Sequence, residues 1–343
     1  MSDLQELAIA VDGGGSKTDV VALAPDGRVL AHARGTGSNP QATGLAASVG
    51  LVDDLVAAVR AAAGPHRLVR MGLYLAGLDL REELVAFREG IATTAWATAL
   101  PESAVVLDND LFALLEAGTD SPDAVAVVCG TGVNAVGRAA DGRTVRFPAL
   151  GAISGDWGGG GQLGMQALSH AARAVDGRGP RSVLERLVPE ALGVAGVMEV
   201  IEGLHFGRIP ERRIAGLAPL LFAAAHAGEA PALADIARQA EEIVAFARTA
   251  LQRLDLADAA VPVVLGGGVL AADDPLLMGG IRAGLAAVAP NARLELVTAP
   301  PIVGAAALVL EALGADAAAV DRAREAILTA GSTGRQVVDA VAG

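Results

Sequence analysis

Leu7-Ala8-Ile9-Ala10-Val11-Asp12-Gly13-Gly14-Gly15-Ser16-Lys17-Thr18-Asp19 is an apolar run that ends on a carboxylate and then on three consecutive glycines. Residues 7–11 read as a strand, the glycines turn the chain, and residues 20–23 resume as a second strand. Pro25-Asp26-Gly27 is a turn of the Asp-Gly type, and residues 29–33 follow as a third strand. The pattern returns later: 124–128 is apolar, Gly130-Thr131-Gly132 turns, 135–137 continues, Asp141-Gly142 turns, and 144–147 follows. Two Gly-turned hairpins of nearly equal spacing predict two duplicated lobes; two unrelated β-meanders are the alternative on turn chemistry alone.

Between and after these hairpins the sequence is helical. Residues 44–63 and 83–98 are Ala-rich, and 229–254 carries Leu233, Ile236, Ala240, Ile243, Ala247, Leu251 and Leu254 at helical spacing. Residues 261–265 form a further strand, Gly266-Gly267-Gly268 turns it, and helices are expected near 302–313 and 317–330. Strands alternating with helices make an α/β protein. A chain of 343 residues exceeds one ordinary core, so two domains are expected. Aromatics are only 3% against 52% apolar residues, so those cores must be built from Ala, Val and Leu.

A net charge of −13 argues against a nucleic-acid surface or an anionic-membrane binder, and any phosphate must be held locally against that field. No run of about 20 apolar residues predicts a membrane span. The segment from Met1 to Glu6 lacks the basic start of a secretory signal, which makes the cytoplasm the expected location. The single cysteine, Cys129, excludes an internal disulfide framework and a cysteine-rich zinc site, and is read as packing like a small apolar residue.

Phosphate binding needs backbone N–H groups at close range, which bare glycines permit. Gly13, Gly14 and Gly15 supply such backbone, Ser16 and Thr18 add hydroxyls, and Lys17 adds a cation. The run is not a Walker A loop, because Ser16 stands where that motif requires glycine, and Thr18 breaks the Rossmann spacing. Asp12, at the strand end, can approach Mg²⁺ through water. Gly130, Thr131 and Gly132 repeat the open turn; Gly266, Gly267 and Gly268 offer a third, against which an adenosine could lie. Val105-Val106-Leu107-Asp108-Asn109-Asp110 places carboxylates at a strand end before a helix over 111–117. They read either as helix caps or as a general base for a sugar hydroxyl. Asp156 lies in a glycine-rich loop able to reach a polar ligand, and Asn39 is either a ligand contact or an Asx turn before Pro40.

Taken in order, Asp12 to Thr18, Gly35-Thr36-Gly37-Ser38-Asn39, Asn109-Asp110, Gly130 to Asn134, Gly155-Asp156, Leu265 to Val269 and Pro300 to Ala306 resemble the motifs of the BadF/BadG/BcrA/BcrD ATPase family, and within it the N-acetylglucosamine kinases. The resemblance runs from about Ala8 to Leu310. It implies the actin-like, sugar kinase and Hsp70-type ATPase fold, with two duplicated domains about a central cleft: residues 1–112, completed by a C-terminal helix over 317–343, and residues 113–316. It also implies phosphorylation of an amino sugar by ATP and Mg²⁺, N-acetylglucosamine to its 6-phosphate foremost. In that reading Asp110 is the catalytic base with Asp108 as fallback, and Asp12 approaches the metal. The loops at Gly13 to Thr18 and Gly130 to Gly132 hold phosphates, and Gly266 to Gly268 border the adenosine. Asn39, Asn134 and Asp156, with Asp110, contact the sugar.

The sequence departs from the family at two places. Val133 stands where the family kinases commonly have Ser, and Trp157-Gly158-Gly159 replaces Glu-Gly-Ser. A Trp there could stack on a sugar face or narrow the site for another sugar. Glucosamine, N-acetylmuramate and N-acetylmannosamine are the other substrates weighed. A zinc-containing ROK kinase and a cluster-bearing activator ATPase both require cysteines that this chain lacks, and a sugar sensor is the non-enzymatic alternative. The apolar helices offer a face for a homodimer.

Overall fold

The computed structural model describes residues 4–333 and 338–339. The chain divides into two compact units, one made of residues up to 122 together with those from 297 onward, the other of residues 123–296.

In the first unit, β1 (Glu6–Gly13), β2 (Lys17–Leu23) and β3 (Val29–Thr36) form an antiparallel meander; β4 (Arg67–Leu75) and β5 (Val105–Asn109) then add in parallel beyond β1. The second unit repeats this plan with β6 (Ala124–Cys129), β7 (Val133–Arg138) and β8 (Thr144–Arg146) antiparallel, and β9 (Pro262–Gly266) and β10 (Arg293–Leu296) parallel beyond β6. The spatial orders β3-β2-β1-β4-β5 and β8-β7-β6-β9-β10 are the same topology, and a short β11 (Val338–Asp339) pairs with β3 at the edge of the first sheet. Two unrelated meanders would not each acquire two parallel strands on the same side, so the repeated glycine turns mark a duplication.

Why these segments make central strands follows from their residues. In β1 the alternation gives Leu7, Ile9 and Val11 to one core and Ala8 and Ala10 to another. The larger side chains pack with Val52, Leu55 and Val56 of the Leu45–Ala63 helix. The alanine face lets the Ile302–Glu311 helix approach closely. That helix in turn meets the Asp110–Gly118 helix so tightly that a Cβ on Gly304 would fall 1.9 Å from the carbonyl oxygen of Ala113. The cores of both units are mostly Ala, Val and Leu, as the low aromatic content requires.

These two helices also explain the division of the chain. Placing the boundaries at 112 and 316 would assign 113–118 and 302–311 to the second domain. Both segments instead bury their apolar faces on the first sheet, and the compact units meet at 122/123 and 296/297. The terminal helix spans Ala317–Thr333, and residues 334–337 and 340–343 of the expected 317–343 helix lie outside the described residues. Residues 83–98 are two helices, Arg81–Ile91 and Ala95–Thr98, because the Thr94 side chain accepts a hydrogen bond from the Ala97 N–H and starts a new helix. No single helix among the described residues is long and apolar enough to cross a membrane.

Candidate active site

Parallel strands present the ends that carry loops to one edge of a sheet, where α/β proteins bind ligands. The register of the first sheet aligns Gly13, Leu75 and Asn109, so the segments after β1, β4 and β5 emerge side by side. Asp12 lies one residue inside that edge, buried, beside Asp19 on β2. The hairpin tip at Gly14 to Ser16 is pinned from both flanks: the Ala76 N–H donates to the Gly13 carbonyl at 2.7 Å and the Ser38 N–H to the Gly14 carbonyl at 3.1 Å. Gly37 approaches so closely that a Cβ there would fall 2.3 Å from the Gly15 carbonyl oxygen. Gly15 and Ser16 remain exposed. Thr18 does not join them: it is fully buried and its hydroxyl donates to the Thr36 carbonyl at 2.8 Å, so it locks β2 to β3.

The Lys17 ammonium lies 3.4 Å from the Asp19 carboxylate, which also accepts from Arg34 Nε at 2.7 Å and Nη2 at 3.2 Å, with His32 Nε2 at 2.9 Å. Burial alone would raise the Asp19 carboxyl, but the hydrogen bonds from His32 and Arg34 and the charge of Lys17 bring it down to about 2. Asp12 behaves oppositely. Burial first, then the Asp110 and Asp19 carboxylates, hold its carboxyl well above the ordinary range.

Asp110 opens the Asp110–Gly118 helix, whose cap is Asn109: the Asn109 Oδ1 accepts from the Leu111 N–H at 3.0 Å. The cap reading thus falls on Asn109, which leaves the Asp110 carboxyl at the helix start. Burial, with the Asp79 charge adding, raises that carboxyl to about 7. Asp108 is used locally, its Oδ1 accepting from the Asn109 N–H at 2.6 Å. Asn39 caps the short Pro40–Thr43 helix, with Oδ1 accepting from the Gln41 N–H at 2.8 Å. Its amide also fills the space over Gly77 in the loop after β4.

That loop carries a residue the sequence reading passed over. Asp79 Oδ1 accepts from Asn109 Nδ2 at 2.9 Å, and Gln41 Nε2 donates to Asp79 Oδ2 at 3.3 Å and to Glu83 Oε1 at 2.8 Å. Asp79 therefore ties the Asn39 segment to the Asn109-Asp110 corner. A run of apolar residues ending at Leu75, followed by Ala76-Gly77, is the signal that could have found it.

In the second unit the register pairs Val128 with Gly266, which brings the Gly130–Gly132 and Gly266–Gly268 turns together at one sheet edge. A Cβ on Gly267 would fall 2.5 Å from the Cys129 carbonyl oxygen. Cys129 itself is fully buried and burial pushes its thiol up to about 12, the inert packing residue expected. Asn134 on β7 is buried behind the turn, opposite Val128. Asp156 is half-buried and accepts from the Ser154 hydroxyl at 2.5 Å, while its own N–H donates to the Gly151 carbonyl at 3.0 Å. The Arg238 guanidinium lies 4.3 Å over the Trp157 ring, which packs on the core of this unit; one face of the indole is therefore already taken.

Among the described residues no group of three or more His, Cys, Asp or Glu side chains is arranged to hold a metal ion by itself. The Asp12 carboxyl is nonetheless buried close enough to the Asp110 and Asp19 carboxylates for their charges to raise it, and a hydrated divalent cation at Asp12 would relieve that repulsion by favouring its ionised form.

Comparison with known proteins bears on the family and the fold. A sequence model of the BadF/BadG/BcrA/BcrD ATPase family matches residues 9–279. The chain is 26% identical over 320 residues to an N-acetyl-D-glucosamine kinase of Dictyostelium discoideum, covering 89% of this chain and 98% of that protein. It is 23% identical over 264 residues to an N-acetylmuramic acid/N-acetylglucosamine kinase of Clostridium acetobutylicum, covering 76% and 85%. A crystal structure of a candidate N-acetylglucosamine kinase from Chromobacterium violaceum superposes with a TM-score of 0.68 at 28% identity, over 90% of this chain and 99% of that one. The fold is the actin-like ATPase fold of sugar kinases, as the motif order implies.

Proposed function

The chain belongs to the BadF/BadG/BcrA/BcrD ATPase family, and from that premise we propose that it transfers the terminal phosphoryl group of ATP to the 6-hydroxyl of an amino sugar, N-acetylglucosamine first. The observation that carries this reading is the convergence of Asp12, Asn39, Asp79, Asn109 and Asp110 at one sheet edge, with the Asp110 carboxyl raised to about 7.

Phosphoryl transfer asks the protein mainly for positioning and charge stabilisation, plus one acceptor for the hydroxyl proton. Asp110 is that acceptor, since a carboxylate whose proton affinity lies near neutrality removes a hydroxyl proton as the oxygen attacks. Asn109, held by Asp79, fixes the helix start that carries it. Asn39, Asn134 and Asp156 contact sugar hydroxyls. Gly13, Gly14, Gly15, Ser16 and Lys17, and likewise Gly130, Thr131 and Gly132, are the residues whose backbone N–H groups, hydroxyls and cation suit phosphate oxygens. Gly266 to Gly268 lie against the adenosine. Mg²⁺ would neutralise phosphate charge when bound, and Asp12 is the residue that would hold it, through water.

ADP release measured over N-acetylglucosamine, glucosamine, N-acetylmuramate and N-acetylmannosamine tests the reading. The first is expected to stimulate turnover most. If none of the four raises ATP turnover above background while ATP still binds, the kinase reading is wrong and a sensing role gains. The base assignment carries a second expectation. Asp79→Asn removes the like charge that helps raise Asp110, so Asp110 ionises more easily. The acid limb of the kcat/KM profile is then expected to move to lower pH; an unmoved limb would separate Asp79 from the base.

A further inference from the structure

Gln239 is fully buried in the Ala230–Arg253 helix of the second unit, and only half of its amide is used. Its Oε1 accepts from the Gly159 N–H at 2.8 Å, while its Nε2 is buried with no hydrogen-bond partner. An apolar residue of that size would pack there without the penalty of an unpaired amide, so the acceptor half must serve the local structure.

What it serves is the start of the Gly159–Val175 helix. The first N–H groups of a helix have no acceptor within the helix. Here three successive ones are all engaged: Gly159 on Gln239, Gly160 on the Gly130 carbonyl at 2.7 Å, and Gly161 on the Thr131 carbonyl at 2.9 Å. The fit admits no side chains. Gly158 has φ +121°, and a Cβ there would fall 2.3 Å from Gln239 Oε1. Gly159 has φ +81°, and its Cβ would fall 2.5 Å from the Gly132 Cα.

A trans peptide points its N–H opposite to its C=O. Holding the Gly130 and Thr131 carbonyls toward the helix start therefore aims the N–H groups of Thr131 and Gly132 away from it. Glycine peptides flip easily when nothing holds them, and this tie prevents the flip.

We propose that Gln239 is a positioning residue for nucleotide binding: by fixing the Gly158–Gly161 helix start it keeps the Thr131 and Gly132 N–H groups presented to phosphate oxygens. The inference rests on the reading that the Gly130–Gly132 turn holds phosphates.

Calorimetric titration with a non-hydrolysable ATP analogue and, separately, with N-acetylglucosamine tests it. Gln239→Leu is expected to weaken nucleotide binding about tenfold, the loss of one well-placed hydrogen bond. Sugar affinity and kcat at saturating ATP should stay within about twofold. Gln239→Glu keeps an acceptor for Gly159 and should recover most of the nucleotide affinity. Nucleotide affinity unchanged in the Leu variant, equal losses for sugar and nucleotide, or no recovery with Glu would each overturn the proposal. If the Leu variant does not fold, Gly161→Ala decides. Its new Cβ would lie 3.3 Å from the Thr131 carbonyl oxygen, so it should weaken nucleotide binding without lowering thermal stability, and unchanged binding would overturn the proposal. A wild-type protein that binds no nucleotide would sink the underlying reading instead; normal wild-type kinase activity with an unaffected Gln239→Leu variant sinks only this inference.

Discussion

Asp110→Asn is expected to lower kcat by roughly a thousandfold, within the range a general base contributes, while the affinity for the sugar changes little. The substitution preserves size and leaves the Asn109 Oδ1 cap on the Leu111 N–H in place, and an amide oxygen at position 110 can still accept from the backbone N–H groups of 110 and 111 that the Asp110 carboxyl meets. What is lost is the ability to accept a proton. Asp110 is the better base than its neighbour for a reason visible in the structure. Asp108 already accepts from the Asn109 N–H at 2.6 Å, whereas burial and Asp79 leave the Asp110 carboxyl poised at about 7. Asp108→Asn is accordingly expected to cost less than about tenfold. The check is ADP release for turnover beside calorimetry for sugar binding. Near-normal turnover in Asp110→Asn would remove the base assignment, and a larger loss in Asp108→Asn would transfer it.

Much of this corner could be read from the sequence because its chemistry is local. An apolar strand that ends on Asp12 and turns at glycine, and another that ends on Asn109-Asp110, each declare themselves within about ten residues. The second hairpin repeats the first closely enough that the shared strand order follows. The residues that were not legible act across long separations. Arg67 and Arg70 interrupt the apolar pattern of β4, so the strand was not singled out, and Asp79 in its following loop went unseen with it. Gln239 looks like one polar position on an amphipathic helix, yet it acts on Gly159, eighty residues earlier. Thr18 reads as a phosphate hydroxyl by its place after Lys17, but strand alternation turns it inward to Thr36. The boundaries at 112 and 316 missed because a helix declares its apolar face and not the sheet that the face will cover.

Asp19→Asn is expected to cost roughly 3 kcal/mol of stability at neutral pH. Breaking a buried ion pair by removing one partner costs about 3–5 kcal/mol, and the lower end applies because Arg34 and Lys17 are 42% and 45% exposed and can turn to water. Asn keeps one acceptor for His32 or Arg34, but its amide N–H₂ then faces their donors. The pH dependence gives the sharper test. Asp19 titrates at about 2 in the folded protein, against an ordinary carboxyl value of 3.8. A lowered carboxyl contributes stability that is complete above its unfolded value and is lost as pH falls through the folded one. The difference amounts to roughly 2 kcal/mol at a little over 1 kcal/mol per pH unit, and it fades between about pH 4 and pH 2. Asp12 and Asp110 oppose this trend: their raised carboxyls favour the folded state as pH falls toward the unfolded value. The stability of the wild type alone therefore mixes both signs. The gap between wild type and Asp19→Asn cancels the Asp110 contribution and the larger part of the Asp12 one, which comes from burial and Asp110; only the smaller share of the Asp12 rise that Asp19 supplies is lost with it. Urea unfolding at several pH values between 2 and 6 should show that gap at full size near pH 6 and largely closed near pH 2. A gap that stays constant across this range would mean that Asp19 holds β2 against β3 by shape alone and not by its charge.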